Sequence, residues 1–245
     1  MEDILIITGG SKGIGKGIIE AYLSRGFRIF SIARTSNSEL TKKGITQIEL
    51  DLTRTDKIEA ELLRIIGLLD SKEVSKITLI NNAGSLGAIG PLNRLDSTTI
   101  ERTIILNTVV PSILSSSFIK ILAQWKASKT IINITSGAAL KPYYGWSVYC
   151  TSKAAINMLT QVIAVEQAGI EYGVKVLAIA PGVVDTDMQT EIRQTDKNDF
   201  KDVDRFIALK RDGALNSVST VGKQIFKIDH NEQLESGAIL RVEGS

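Results

Sequence analysis

The chain of 245 residues has one cysteine and one histidine. A lone thiol, Cys150, excludes an internal disulfide and fits a reducing compartment. No group of His, Cys and Asp has metal-ligand spacing, so no catalytic metal is expected. Net charge is nearly absent too: 29 basic against 27 acidic residues leaves +2, with the signs interspersed. That removes any global electrostatic reason to expect nucleic acid or an anionic membrane as partner. No basic n-region precedes the first apolar stretch, and no apolar run approaches the ~20 residues needed to cross a bilayer. The expected location is the cytoplasm.

What is present is an ordinary globular composition, 43% hydrophobic and 23% charged, arranged as alternating short apolar runs and longer helical patterns. Strands are expected at Ile4 to Thr8, Phe27 to Ala33, Ile45 to Leu50, Ile77 to Ile80, Thr130 to Ile134 and Val174 to Ile179. Helices are expected from about Gly13 to Arg25, Thr55 to Leu69, Ser97 to Trp125 (with Pro111 as an interruption) and around Tyr149 to Ala168. Strands alternating with helices of this length predict an α/β fold: parallel βαβ units in one doubly wound Rossmann-type domain spanning 1–245.

Chemistry-bearing residues fall where such a fold places ligands. Thr8-Gly9-Gly10-Ser11-Lys12-Gly13-Ile14-Gly15 follows the first strand and opens a helix. Its glycines admit a pyrophosphate close to the backbone, and the helix start offers free N–H groups. The spacing is G-x-x-x-G-x-G, and a tight structural turn is the plain alternative. At the end of the second strand, Ala33-Arg34 stands where NAD sites carry an acid. Arg34, with Lys12, suits a 2′-phosphate and points to NADP(H). Tyr149 and Lys153 lie one helical turn apart, with Ser136 upstream. A fixed ammonium favours phenolate, so Lys153 is expected to lower the pKa of Tyr149. Taken alone, the pair also reads as two surface side chains.

These pieces, together with Asp51-Leu52, Asn81-Asn82-Ala83-Gly84, Asn107 and Pro181-Gly182 followed by Thr186, resemble the short-chain dehydrogenase/reductases over nearly the whole chain. The resemblance implies a sheet of about seven mostly parallel strands. It implies Asp51 and Leu52 beside the adenine, and Asn82, Ala83 and Gly84 along the adenosine ribose. Asn107 would kink its helix and hold a relay water, Ser136 would bind the substrate carbonyl, and Tyr149 would protonate it. Lys153 would hold the nicotinamide ribose, with Pro181, Gly182, Val184 and Thr186 near the carboxamide.

The likeness is strongest to the sepiapterin reductase and bacterial benzil reductase branch. It rests there on Asn81 to Gly87, Gly145-Trp146-x-x-Tyr149-Cys150, Asp185 to Gln189 and Ser236-Gly237-Ala238. Sepiapterin reductases carry an acid near the C-terminus, where Arg241 stands here and Glu243 lies two residues on. A ketone or vicinal diketone is therefore the expected substrate. The alternatives are a pterin, or a non-catalytic NADP(H)-binding redox sensor. Leu86, Leu140, Tyr143, Tyr144, Trp146 and Met188 are expected to line the substrate pocket. The charged stretch at about 187–213 reads as a mobile, mostly solvated helical flap. His230 is expected to be a surface or packed residue. The resemblance suggests a homodimer, or a tetramer, through helices near 97–126 and 150–168.

Overall fold

The computed structural model describes residues 1–242; Glu243, the second candidate for the C-terminal acid, lies outside them. The first half runs β1 (Glu2–Thr8), α1 (Gly13–Leu23), β2 (Arg28–Ala33), α2 (Ser38–Lys42), β3 (Thr46–Glu49), α3 (Ile58–Ile66) and β4 (Val74–Asn81). The second runs α4 (Ser97–Ile104), α5 (Val110–Ile121), β5 (Ser128–Ile134), α6 (Ser147–Gln167), β6 (Lys175–Ala180), α7 (Asp187–Gln194), α8 (Val203–Arg211), α9 (Val218–Asp229) and β7 (Ile239–Arg241).

All seven strands pair in parallel in the order β3-β2-β1-β4-β5-β6-β7. The expected doubly wound sheet is therefore present. Its central strands are apolar on both faces because helices cover both: Ile4 to Ile7 of β1 are all buried. Ile4 and Ile6 join the layer under α3 and α5, while Leu5 and Ile7 join the layer under α1 and α9. The order reverses between β1 and β4, which opens a ligand crevice at the C-terminal ends of these strands.

Helices α1 and α9 cross at unusually short range. A Cβ on Gly17 would overlap the Val218 carbonyl, and one on Gly222 would overlap the Gly17 carbonyl. At the far end of this pair Asp229 is fully buried. It accepts from Tyr22 Oη at 2.9 Å and Thr78 Oγ1 at 3.1 Å, and pairs with Lys76 Nζ at 3.1 Å. His230 stacks on Phe226 at 4.0 Å.

Two expectations about the long helical region are corrected. Pro111 does not interrupt it, because a π-helical turn over Ile105–Val109 links α4 to α5 and the proline falls in the first turn of α5. The wider turn re-routes the hydrogen bonds that a proline would otherwise break. Second, the Ser97–Ile121 helix is long and apolar enough to cross a membrane by length and composition, with a mean hydropathy of 1.6 over its most apolar 18 residues. In this fold its Val110, Leu114 and Phe118 are buried against the sheet.

Candidate active site

The turn between β1 and α1 packs backbone to backbone against the segment after β4. Gly9 has φ +69° and its Cβ would lie 3.0 Å from Ala83 Cα; a Cβ on Gly15 would overlap the Gly9 carbonyl. Asn82 Nδ2 donates to the carbonyls of Thr8 and Gly9 at 2.9 and 3.0 Å. Thr8 Oγ1 accepts from the amides of Asn82 and Ala83, both at 3.0 Å. Lys12 precedes α1 without a side-chain cap, and the first turn has no acid. The positive end of the helix is thus left for an anion. Asn37 Nδ2 donates to the Ser11 carbonyl at 2.8 Å, tying the loop after β2 to this turn. Arg34 is exposed in that loop. Asp51 accepts from the amide and hydroxyl of Thr53, which lower its pKa, with Arg34 contributing less.

Tyr149 and Lys153 project from the first turns of α6 and are 7% and 6% exposed. Lys153 Nζ donates to the Ile134 carbonyl at 2.9 Å and lies 5.9 Å from the Tyr149 ring centroid. Burial lowers the Lys153 pKa to about 8. Burial also raises that of Tyr149, opposed by a hydrogen bond with Ser136. The expected lowering of the phenol by Lys153 is therefore not what this fold produces. Both groups are taken from water, and each shifts toward its neutral form. Ser136 Oγ is fixed by the Ala138 amide at 3.1 Å.

Asn107 sits in the π turn, buried. Its Oδ1 accepts from the Ser85 amide at 2.9 Å, and its Nδ2 donates to the Ser85 carbonyl at 2.8 Å and Ser152 Oγ at 3.0 Å. The amide is fully used in holding the loop after β4 to α6. Pro111, four residues on, has no N–H to offer the Asn107 carbonyl.

Ser136, Tyr149 and Lys153 open onto one cavity of about 460 Å³. Its lining includes Ile14, Asn82, Gly84, Pro181, Gly182, Val184 and Thr186 together with Leu86, Leu140, Tyr143, Trp146 and Met188. A second recess of about 560 Å³ along α7, lined by Asp187, Thr190, Glu191, Gln194 and Thr195, is open to solvent and holds none of these groups. A family model described as short chain dehydrogenase matches residues 3–197.

The chain belongs to the short-chain dehydrogenases. Benzil reductase ((S)-benzoin forming) of Bacillus cereus is 41% identical over 245 residues, covering 98% of each chain. Sepiapterin reductase of Meriones unguiculatus is 33% identical over 252 residues, covering 96% of this chain and 94% of its own. The crystal structure of the KRED1-Pglu enzyme matches with a TM-score of 0.83 and 27% identity, over 97% of this chain and 99% of that one. Short-chain dehydrogenases are oxidoreductases that bind nicotinamide cofactors, and the uncapped helix end after the tightly packed glycine turn suits a pyrophosphate.

Several expected site residues of this short-chain dehydrogenase sit elsewhere. Tyr144 does not line the cavity; it turns outward, with Lys201 Nζ 4.6 Å from its ring centroid. The Leu52 side chain is buried in the core, leaving only its backbone for a ligand. Lys12 pairs with Asp187 at 2.7 Å, an exposed ion pair that joins the turn to α7. The segment at 187–213 is exposed over most of its residues, as expected, but it is anchored from beneath. Its Ile192, Phe200, Val203 and Phe206 are buried, with Phe200 stacked on Trp146 at 4.5 Å and 14°. Arg205, Gln189 and Asn157 line the cavity and were not anticipated. Asn157 follows Lys153 by one helical turn, a spacing that would have found it. Arg205 has no local signal.

Proposed function

We propose that this protein reduces a ketone or vicinal diketone with NADPH, Tyr149 acting as general acid. The observation that carries this reading is the opening of Ser136, Tyr149 and Lys153 onto one cavity whose lining also includes Leu86, Tyr143, Trp146 and Phe206. The name of the Bacillus cereus relative supports the diketone. Arg241 on the cavity wall has only hydrogen-bond donors to offer the guanidine-like edge of a pterin, which itself donates, and this counts against that alternative. Arg34 and the missing acid at the end of β2 support NADP(H) over NAD(H).

The turn from Gly9 to Gly15 would hold the pyrophosphate, Arg34 the 2′-phosphate, Asp51 and Asn82 to Gly84 the adenosine side, and Lys153 with Val184 and Thr186 the nicotinamide end. The bound cofactor supplies hydride. Ser136, oriented by the Ala138 amide, directs its hydroxyl proton at the carbonyl oxygen. Burial keeps Tyr149 protonated at neutral pH, so its Oη has a proton to give as the oxygen gains charge. The Lys153 ammonium then stabilises the phenolate across the helix turn. The same reading includes a homodimer: Met158, Val162 and Val165 form an exposed apolar stripe along α6, which supports burial against a second copy.

The test is loss of reduced-nicotinamide absorbance with benzil and sepiapterin side by side, NADPH against NADH, in the native enzyme and Tyr149→Phe. Turnover of benzil with NADPH, lost by at least about 100-fold in Tyr149→Phe while NADPH still binds, is expected. Comparable turnover in that variant refutes the role of Tyr149.

A further inference from the structure

We propose that the carbonyl substrate carries an anionic group, a carboxylate set apart from the reacting carbonyl, held by Arg205 with Lys141 and Arg241. The proposal rests on the carbonyl reductase reading of the same cavity. The charged side chains that line the cavity are Lys141, Lys153, Arg205 and Arg241, and no aspartate or glutamate lines it among the described residues. The chain as a whole is nearly balanced in charge, so this bias is local. Lys153 belongs to the catalytic set; the other three have no part in the chemistry derived above.

They come from three separate elements. Lys141 is in the loop before α6, Arg205 on α8 and Arg241 on β7. A charge run on one solvated helix face cannot account for all three lining one cavity. Nearby acids are committed elsewhere: Asp185 pairs with Lys210 at 2.6 Å, Asp187 with Lys12 at 2.7 Å, Asp199 with Arg94 at 3.1 Å and Asp204 with Lys197 at 2.7 Å. Among the described residues no ion pair forms with Lys141, Arg205 or Arg241.

Arg205 is also held in place. Its Nη1 donates to Tyr143 Oη at 3.1 Å, and its guanidinium lies 5.6 Å from the Phe206 ring centroid. Lys141 Nζ reaches the same tyrosine, 5.0 Å from its ring centroid. Tyr143 thus gathers two cations beside the cavity, and a guanidinium braced in this way keeps further donors for a bidentate partner. The phosphates of a nicotinamide cofactor belong at the start of α1 and do not need these groups.

Position sets the spacing of the anion. Tyr143 contacts Trp146 at 5.0 Å between centroids, and Trp146 contacts Tyr149 at 5.5 Å. Lys141 and Arg205, both on Tyr143, therefore stand two aromatic rings beyond the proton donor. A 2-oxo acid, whose carboxylate adjoins the carbonyl, does not span that separation; a carboxylated aryl ketone or diketone does.

Two readouts test this, one of them independent of turnover. Benzoate and benzamide are titrated into the NADP-loaded protein, following tryptophan fluorescence, at low and high salt. Benzoate is expected to bind at least about tenfold tighter. The preference should shrink with salt, fall in Arg205→Gln and survive in part in Arg205→Lys. In parallel, kcat/KM is compared for benzil and ring-carboxylated benzil, and the ratio is expected to favour the carboxylate and fall in Arg205→Gln. Equal binding of benzoate and benzamide overturns the proposal, as does a preference that Arg205→Gln leaves intact. Reduction of benzil without any anion preference overturns it while leaving the reductase reading in place. An anion preference with neither diketone reduced overturns the reductase reading, and the substrate assignment with it.

Discussion

Replacing Lys153 with methionine removes a buried ammonium while keeping most of the side-chain volume. Burial lowers the Lys153 pKa from 10.5 to about 8. At about 1.4 kcal/mol per unit, holding this charge costs the native state about 3 kcal/mol below pH 8. The folded pKa lies below the unfolded one, so the unfolded chain binds the proton more tightly. The cost is complete below pH 8 and is relieved as pH rises toward 10.5. Methionine abolishes that cost but leaves the Ile134 carbonyl without its donor, a loss of about 1–3 kcal/mol. The net expectation at pH 7 is a variant that is as stable as the native chain or more so, by up to about 2 kcal/mol, or a few degrees in Tm at about 2–4 °C per kcal/mol. At pH 10 the native chain has shed most of the cost and the variant is the less stable of the two. The assay is urea denaturation of cofactor-free protein at both pH values. The stability difference should move by about 2–3 kcal/mol between them, with turnover lost throughout. A difference independent of pH refutes the argument.

Gly15→Ala forces the turn from β1 to α1 away from the Gly9 carbonyl, so nicotinamide cofactor binding, measured by calorimetry, should fall sharply while circular dichroism keeps the native helix content. Asp229→Ala strands Lys76, Tyr22 and Thr78 in the interior. It should cost about 3–5 kcal/mol in urea denaturation, with activity per folded molecule retained because none of these residues lines the cavity. Phe200→Ala removes the ring stacked on Trp146. A cost of about 3–5 kcal/mol is expected, together with a raised KM for aryl ketones from a loosened α7–α8 segment.

Much of this was legible from order along the chain. The unbroken apolar run of β1 marks a strand covered on both faces, and one helical turn between Tyr149 and Lys153 fixes their shared face. What escaped depends on tertiary context. Pro111 reads as a break because sequence gives no sign that a π turn precedes it. Tyr143 and Tyr144 are neighbours in an irregular loop, where no period tells which faces the cavity, and only Tyr143 does. The flap reads as solvated because its charges outnumber its aromatics, and most of it is exposed; what the pattern did not show is that its few aromatics are what Trp146 packs against. The Tyr149 shift failed for a different reason: proximity of Lys153 was readable, whereas the depth to which α6 buries both groups was not.

The glycine crossing of α1 and α9 bears on how the chain is made. Helix α1, which carries the glycine turn at its start, rests its Ile18, Ile19 and Tyr22 in the same layer as Val221 and Ile225. At about 5–20 residues per second, α9 leaves the ribosome roughly 10–40 s after α1. Through that interval the first βα unit exposes apolar surface that nothing yet synthesised can cover. The glycine turn emerges well before the helix that completes the wall behind it.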